Sequence, residues 1–348
     1  MKKVIFIYPK RSSFIESDIE ILKKKFTVEE NNYNWINKLA LPINLMKQFF
    51  FLLRKLKTAD YVVISFGGYW SILPSLLGKV YKKPVFIILH GTDCASFHEI
   101  NYGNMRKPIL RYILKISYKY ASKLLPVSSS LIYNENTYFL KGKVTRQGYK
   151  HFFKNNTTRN NVIHNGIDTG KWYIDENNKR EANRFITVLS EGQFILKGGD
   201  IIIQAAKKLP QFEFYFIGLN KPENIEKLPT NVQFISKQSP NELLKYYNNS
   251  RYYLQLSITE GFGCALAEAM SCGCIPIVSS VNILPDIIGD TGYVLHERNN
   301  EELIILIQNI TKDKSGEKSR EQIVNNYSIQ KREKALFKVL EDTEIIVS

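Results

Sequence analysis

Short, unbroken apolar runs without polar alternation are the feature that most limits what this chain can fold into. Residues 4–8 (VIFIY), 61–65 (YVVIS), 85–89 (VFIIL), 124–127 and 161–163 form one series. Runs of this kind suit strands covered on both faces, as in the middle of a parallel sheet. Helical stretches separate most of them, the first at 17–25, and that alternation implies βαβ units. The pattern then restarts, with strands expected at 184–189, 212–217, 232–235, 252–256 and 275–278 and helices at 199–208 and 264–271. Between the two series, residues 165–180 are rich in Asn, Gly, Asp and Lys and read as a linker. A helical stretch at 329–344 has no strand after it. The α/β chain is therefore expected to form two Rossmann-like domains, 1–168 and 169–328, followed by a C-terminal helix, 329–348.

At 348 residues there is enough chain for two buried cores. The net charge of +15 is unevenly spread: residues 1–160 hold 27 Lys and Arg against 9 Asp and Glu, and the remainder is slightly acidic. Two readings follow, a solvated lysine-rich surface or an anionic partner for the N-terminal half. Two basic, apolar stretches, 46–57 and 106–123, fit an anionic membrane face. In the second, Arg111, Lys115, Lys119 and Lys123 are expected along one helix face, with Ile109, Ile113, Ile116 and Tyr120 opposite. No zinc-finger, RNP-like or helix-turn-helix pattern supports nucleic-acid binding. The 18 uncharged residues 61–78 include Gly67, Gly68 and Pro74, which break the run into a strand, a turn and a short helix. Four cysteines make no disulfide framework, and reduced thiols in a cytoplasmic protein are the simplest reading.

The chemistry concentrates at 260–278, EGFGCALAEAMSCGCIPIV. A strand ends before Glu260, Gly261, Phe262 and Gly263 make a tight turn, and an Ala-rich helix follows. Glycines there let a ligand approach the backbone, and free N–H groups at a helix start suit a diphosphate. Glu260 and Glu268 supply two hydroxyl acceptors, eight residues apart.

In this order the residues resemble retaining nucleotide-sugar glycosyltransferases of the family-4 type (glycosyl transferases group 1), whose E-x7-E pattern Glu260 and Glu268 match. Asn165-Gly166-Ile167-Asp168, Lys197-Gly198 with the helix at 200–205, 272–278, and Gly289 with 292–295 match further family segments in order. His90-Gly91-Thr92-Asp93 and Val127-Ser128 match more loosely. The resemblance implies a GT-B fold: two Rossmann-like domains facing across a deep cleft, with the C-terminal helix packing back on the N-terminal domain.

It also implies roles. Glu268 would accept from the ribose hydroxyls. Glu260 would hold a donor-sugar hydroxyl, with Gly261, Phe262 and Gly263 offering backbone N–H groups. Lys197 would neutralise the leaving diphosphate, Gly192 and Gln193 would line the donor site, and His90 would face the sugar. The implied activity is retaining transfer of a sugar from a UDP- or GDP-type donor to a glycan or lipid-linked glycan acceptor, in cell-surface polysaccharide or glycolipid synthesis. No other cofactor and no metal is called for, and the chain contains no D-x-D pair. The implied location is cytoplasmic, peripheral on the inner face of the plasma membrane. One departure keeps an alternative open. Where the family commonly has Gly-Arg, this chain has Ser190-Glu191-Gly192-Gln193. A non-catalytic sugar-nucleotide-binding protein or partner subunit would tolerate that loss.

Overall fold

The computed structural model describes residues 1–35, 37–223, 225–310 and 313–342. The chain divides into two compact units. The first comprises Met1–Asn134, Arg146–Asn165 and the chain from Arg332 onward; the second comprises Glu135–Thr145 and Gly166–Lys331.

The first unit is built from β1 (Lys3–Ile7), α1 (Ser13–Lys23), β2 (Thr27–Asn31), α2 (Leu41–Lys55), β3 (Tyr61–Ser65), α3 (Ile72–Val80), β4 (Val85–Leu89), α4 (Pro108–Tyr120) and β5 (Lys123–Pro126). Its all-parallel sheet has the order β2-β1-β3-β4-β5. Every residue of β3 and β4 is buried, as their unbroken apolar composition requires. Only β1 to β2 steps leftward; the next three crossovers step the other way. Right-handed crossovers therefore put α2, α3 and α4 together on one face and α1 on the other.

A two-stranded ribbon of β6 (Asn134–Asn136) and β7 (Thr145–Gln147) precedes the short α5 (Tyr149–Phe152). The second unit then runs through β8 (Glu181–Val188), α6 (Gly199–Lys208), β9 (Glu213–Ile217), β10 (Val232–Ile235), α7 (Pro240–Asn249), β11 (Ser250–Gln255), α8 (Cys264–Ser271), β12 (Ile275–Ser279), α9 (Leu284–Ile288), β13 (Tyr293–Leu295), α10 (Asn300–Gln308) and α11 (Gly316–Tyr327). Its parallel sheet has the order β10-β9-β8-β11-β12-β13. The last helix, α12 (Ile329–Asp342), carries the chain back into the first unit at Arg332. Residues 343 and 344 of the expected helix lie outside the described residues.

Three local expectations need correction. Residues 161–163 do not form a strand of the sheet. They run beside β5 through a bridge at Leu124 and Asn160 and bonds from Asn161 N to Leu124 O (3.1 Å) and Ile163 N to Pro126 O (3.0 Å). Helix α1 starts four residues early, because extended Ser12 (φ −151°) already turns the chain into it. In α4 the buried positions are Leu110, Leu114, Ser117 and Tyr118, while Ile109 is 73% exposed. Ile113 and Ile116 are only half-buried, at the flank of the 110-114-118 stripe that packs inward, while Arg111, Lys115 and Lys119 are exposed.

The uncharged stretch at 61–78 is β3, a one-turn 3-10 helix at Tyr69–Ser71 and most of α3. No helix among the described residues is long and apolar enough to cross a membrane. None of the four cysteines is in a disulfide.

Candidate functional site

In the second sheet the strand order reverses between β8 and β11. Ligands of open α/β sheets bind beyond the strand carboxyl ends at such a switch point. Two expected residues meet there: Lys197 follows β8, Glu260 follows β11, and the Lys197 ammonium is paired with Glu260 Oε2. Both side chains are about 15% exposed, at 15% and 14%, so the pair is shielded yet reachable.

Gly198 makes this meeting possible. It adopts φ +77°, and a Cβ there would fall 2.5 Å from Leu256 O. Only glycine lets the turn carrying Lys197 lie against the segment leading to Glu260. Ile258 N also bonds to Leu196 O (2.8 Å). On the other side, Asn282 Oδ1 accepts from Glu260 N (2.9 Å) and from Thr259 Oγ1 (3.1 Å).

The described donors to the Glu260 side chain all converge on Oε2. Besides Lys197 they are Gln255 Nε2 (2.8 Å) and Ser257 Oγ (3.2 Å). Gln255 is 3% exposed, and its own orientation is fixed because Tyr253 Oη donates to its Oε1 at 3.0 Å. Among the described residues, the carboxylate is thus held through Oε2. Sequence reasoning did not reach Gln255, Ser257 or Asn282. The one available signal was a polar residue, Gln255, ending a strand whose other side chains are mostly apolar.

Glu268 lies along α8. Desolvation raises its carboxyl to about pKa 7, against the opposing effects of the Lys171 charge and the Tyr247 hydroxyl. The Tyr253 hydroxyl is held un-ionised chiefly by burial, with the charges of Glu268 and Glu260 acting in the same direction. Gly263 caps α8 at φ +99°. The Phe262 ring is turned into the core, 2% exposed and edge-on to Tyr327 at 5.6 Å, and is not presented to a ligand. Gly192 is exposed at φ +78° with open space around its Cβ position. Gln193 joins the same turn through its carbonyl, which accepts from Lys197 N at 2.9 Å.

His90 belongs to the first unit, just beyond β4. Its ring lies between Phe66 (4.3 Å between centroids) and Phe14 (4.8 Å), and Nε2 is 2.9 Å from Ser65 Oγ. Phe66 holds this position at φ +63°, an uncommon conformation for a bulky residue. Fully buried Asp93 ties the turn, accepting from the backbone N–H of Gly67 (2.8 Å), Gly91 (2.9 Å) and His90 (3.1 Å). Burial, and then the Arg332 charge, push the His90 pKa well below its ordinary value. At neutral pH it is an uncharged hydrogen-bonding group.

Residues 173–329 match the family model described as glycosyl transferases group 1. The chain is 25% identical over 244 residues to the GDP-mannose:cellobiosyl-diphosphopolyprenol alpha-mannosyltransferase of Xanthomonas campestris, covering 66% of this chain and 58% of that protein. It is 26% identical to Protein CapJ of Staphylococcus aureus over 75% of this chain and 66% of that one. It therefore spans less than two thirds of the length of these relatives. Among solved structures, it is similar to a sucrose-phosphate synthase from Thermosynechococcus elongatus (TM-score 0.78, 14% identity, 99% and 100% of the two chains). It is likewise similar to Anabaena HepE in complex with UDP and glucose (TM-score 0.71, 15% identity, 98% and 100%). These are GT-B structures, and the parallel α/β architecture of this chain is of that fold.

Proposed function

We propose, from the match of residues 173–329 to the family model of glycosyl transferases group 1, that this chain transfers a sugar from a nucleoside-diphosphate sugar to a glycan or lipid-linked glycan acceptor, with retention. The observation that carries this reading is the Lys197–Glu260 pair at the switch point, with Glu268 eight residues further on. Glu260, held through Oε2, presents Oε1 to a donor-sugar hydroxyl. Lys197 keeps ammonium protons for the departing diphosphate, and such fixed cationic stabilisation of developing charge is a large catalytic contribution. Gly261 to Gly263 offer backbone N–H groups at the start of α8, and Gly192 and Gln193 border the same approach. Glu268, ionised, accepts from the ribose hydroxyls. His90, uncharged, bonds to the sugar.

The donor is of the UDP or GDP type. The solved HepE complex holds UDP and glucose, while the Xanthomonas relative is named for GDP-mannose. That relative's name also specifies a diphosphopolyprenol-linked acceptor, which supports a lipid-linked acceptor here. A cytoplasmic site on the inner membrane face is consistent with the basic first half of the chain.

The test is a thermal-shift screen with UDP, GDP, ADP, CMP and their sugar conjugates. A ligand at a hundredfold excess over Kd stabilises the folded state by about 2.7 kcal/mol. One nucleotide should produce a clear shift that Glu268→Ala reduces; no shift with any nucleotide would overturn the reading. Affinity for that nucleotide should rise as pH increases through about 7 and then level off, as Glu268 ionises. Glu268→Gln should remove that step, which separates it from titration of the ligand phosphate. Without ligand, the same group acts in the opposite sense. Its contribution to stability is present below the ordinary value of 4.5 and is lost as pH rises through about 7.

Gln255→Leu should lower kcat by about tenfold or more through misorientation of Glu260, while leaving binding of the nucleoside diphosphate unchanged. Equal losses of nucleotide binding and turnover would mean that Gln255 supports only the local packing.

A further inference from the structure

Helix α2 faces the wrong way for a helix covering a sheet. Its buried positions are Asn44, Gln48 and Leu52. Gln48 is held by bonds from its Nε2 to Asn31 Oδ1 and Trp70 O, both 3.1 Å. Outward, at a spacing of three, four, seven and eleven, come Ile43, Met46, Lys47, Phe50 and Arg54. Ile43 is 52%, Met46 56% and Phe50 59% exposed, and Lys47 and Arg54 are exposed between them. An amphipathic helix normally shows the reverse arrangement.

The neighbouring helices continue this surface. Helix α4, on the same face of the sheet, exposes Ile109 (73%) and Tyr112 (64%) beside Arg111, Lys115 and Lys119. Val80 at the end of α3 is 74% exposed. None of the three helices contains an Asp or Glu. Between Asn31 and Asn134 there are only three acids, Asp60, Asp93 and Glu99, against 14 basic residues. Asp93 is buried and Asp60 accepts from Lys3 N at 2.7 Å. Lys55 is already paired with Glu29 at 2.8 Å, so the outward charge of α2 rests on Lys47 and Arg54.

We propose that the outer face of α2 and α4 is a docking surface for an anionic lipid bilayer, with Met46 and Phe50 entering the interface and the interleaved cations meeting lipid headgroups. Exposed apolar side chains alone would fit any greasy partner. Their placement among cations, with no acid on the three helices, is complementary to a surface at once apolar and negatively charged. Long basic side chains can lay their methylene stems along such a boundary and keep their charges at headgroup level. This inference rests on the proposed lipid-linked acceptor for its purpose, but its test does not require turnover.

The full-length chain is co-sedimented with vesicles of phosphatidylcholine, alone or mixed with phosphatidylglycerol. Binding is expected to the mixed vesicles and to weaken as salt is raised. The double variants Met46→Ser/Phe50→Ser and Lys47→Glu/Arg54→Glu should each lower partitioning by about tenfold or more. All four side chains point to solvent, so both variants should retain their melting temperature and their nucleotide-induced shift. Absence of binding to mixed vesicles, equal binding to neutral ones, or unchanged partitioning of both variants would overturn the docking surface. Vesicle binding without any nucleotide shift would instead count against the glycosyltransferase reading and leave the surface standing.

Discussion

Replacing Lys197 with Met is expected to lower kcat/KM for sugar transfer by about a hundredfold to a thousandfold, the usual consequence of removing one fixed group that stabilises charge developing in a transition state. The ammonium is placed for that task by Gly198, whose backbone packs against Leu256, and by its pairing with Glu260 Oε2. The segment Ser190-Glu191-Gly192-Gln193 contributes no cation, so in the proposed reaction the neutralisation within this turn falls to Lys197. Steady-state assays with the donor identified by thermal shift provide the measurement, with the melting temperature as the control for folding. A change of less than about threefold in a folded variant would remove Lys197 from the leaving-group side.

The largest expected effect on stability lies in the first unit. Arg332 is 3% exposed and Asp18 fully buried. Arg332 Nε donates to Asp18 Oδ1 at 2.5 Å and its second terminal nitrogen to Oδ2 at 2.7 Å. The remaining guanidinium nitrogen reaches the carbonyls of His164 (2.8 Å) and Ile163 (3.2 Å). Arg332→Met should cost about 3–5 kcal/mol, because it strands a buried carboxylate rather than merely removing a favourable contact. The double variant Arg332→Met/Asp18→Leu should recover most of that loss, since no buried charge then lacks its partner. Denaturant unfolding of the three proteins would measure both. A double variant as unstable as the single one would mean that the arginine matters through packing and its carbonyl bonds.

Much of this fold was legible because the strongest strands carry no competing signal. Residues 61–65, 85–89 and 232–235 form strands at the expected bounds, as 199–208 and 264–271 do helices. Strand β2, Thr27–Asn31, escaped notice because TVEEN is a polar edge strand with one fully buried residue. Strand β13 has only three residues, too few to show a period. The α4 pattern gave a helix but the wrong inward face, since two apolar stripes run along it and only the packed structure chooses between them.

The site followed the same division. Lys197 and Glu260 stand 63 residues apart in sequence, yet are in contact. A motif resemblance linked them, whereas nothing in the local pattern did. Gln255, Ser257 and Asn282 were beyond reach because their importance lies in which oxygen or N–H they face. That is decided where β11 and the β12–α9 connection come together, and it leaves no periodicity in the chain.

The Asp18–Arg332 pair also bears on the order in which the protein is made. A ribosome delivers Asp18 early and Arg332 only 314 positions later. Throughout that interval Asp18 lacks the arginine that it pairs with in the folded protein. The second unit, continuous from Gly166 to Lys331 apart from its short earlier excursion, emerges in full before the first can close. Synthesis thus imposes a sequence of events, in which the earlier-made unit finishes second and waits for Arg332 and the rest of α12.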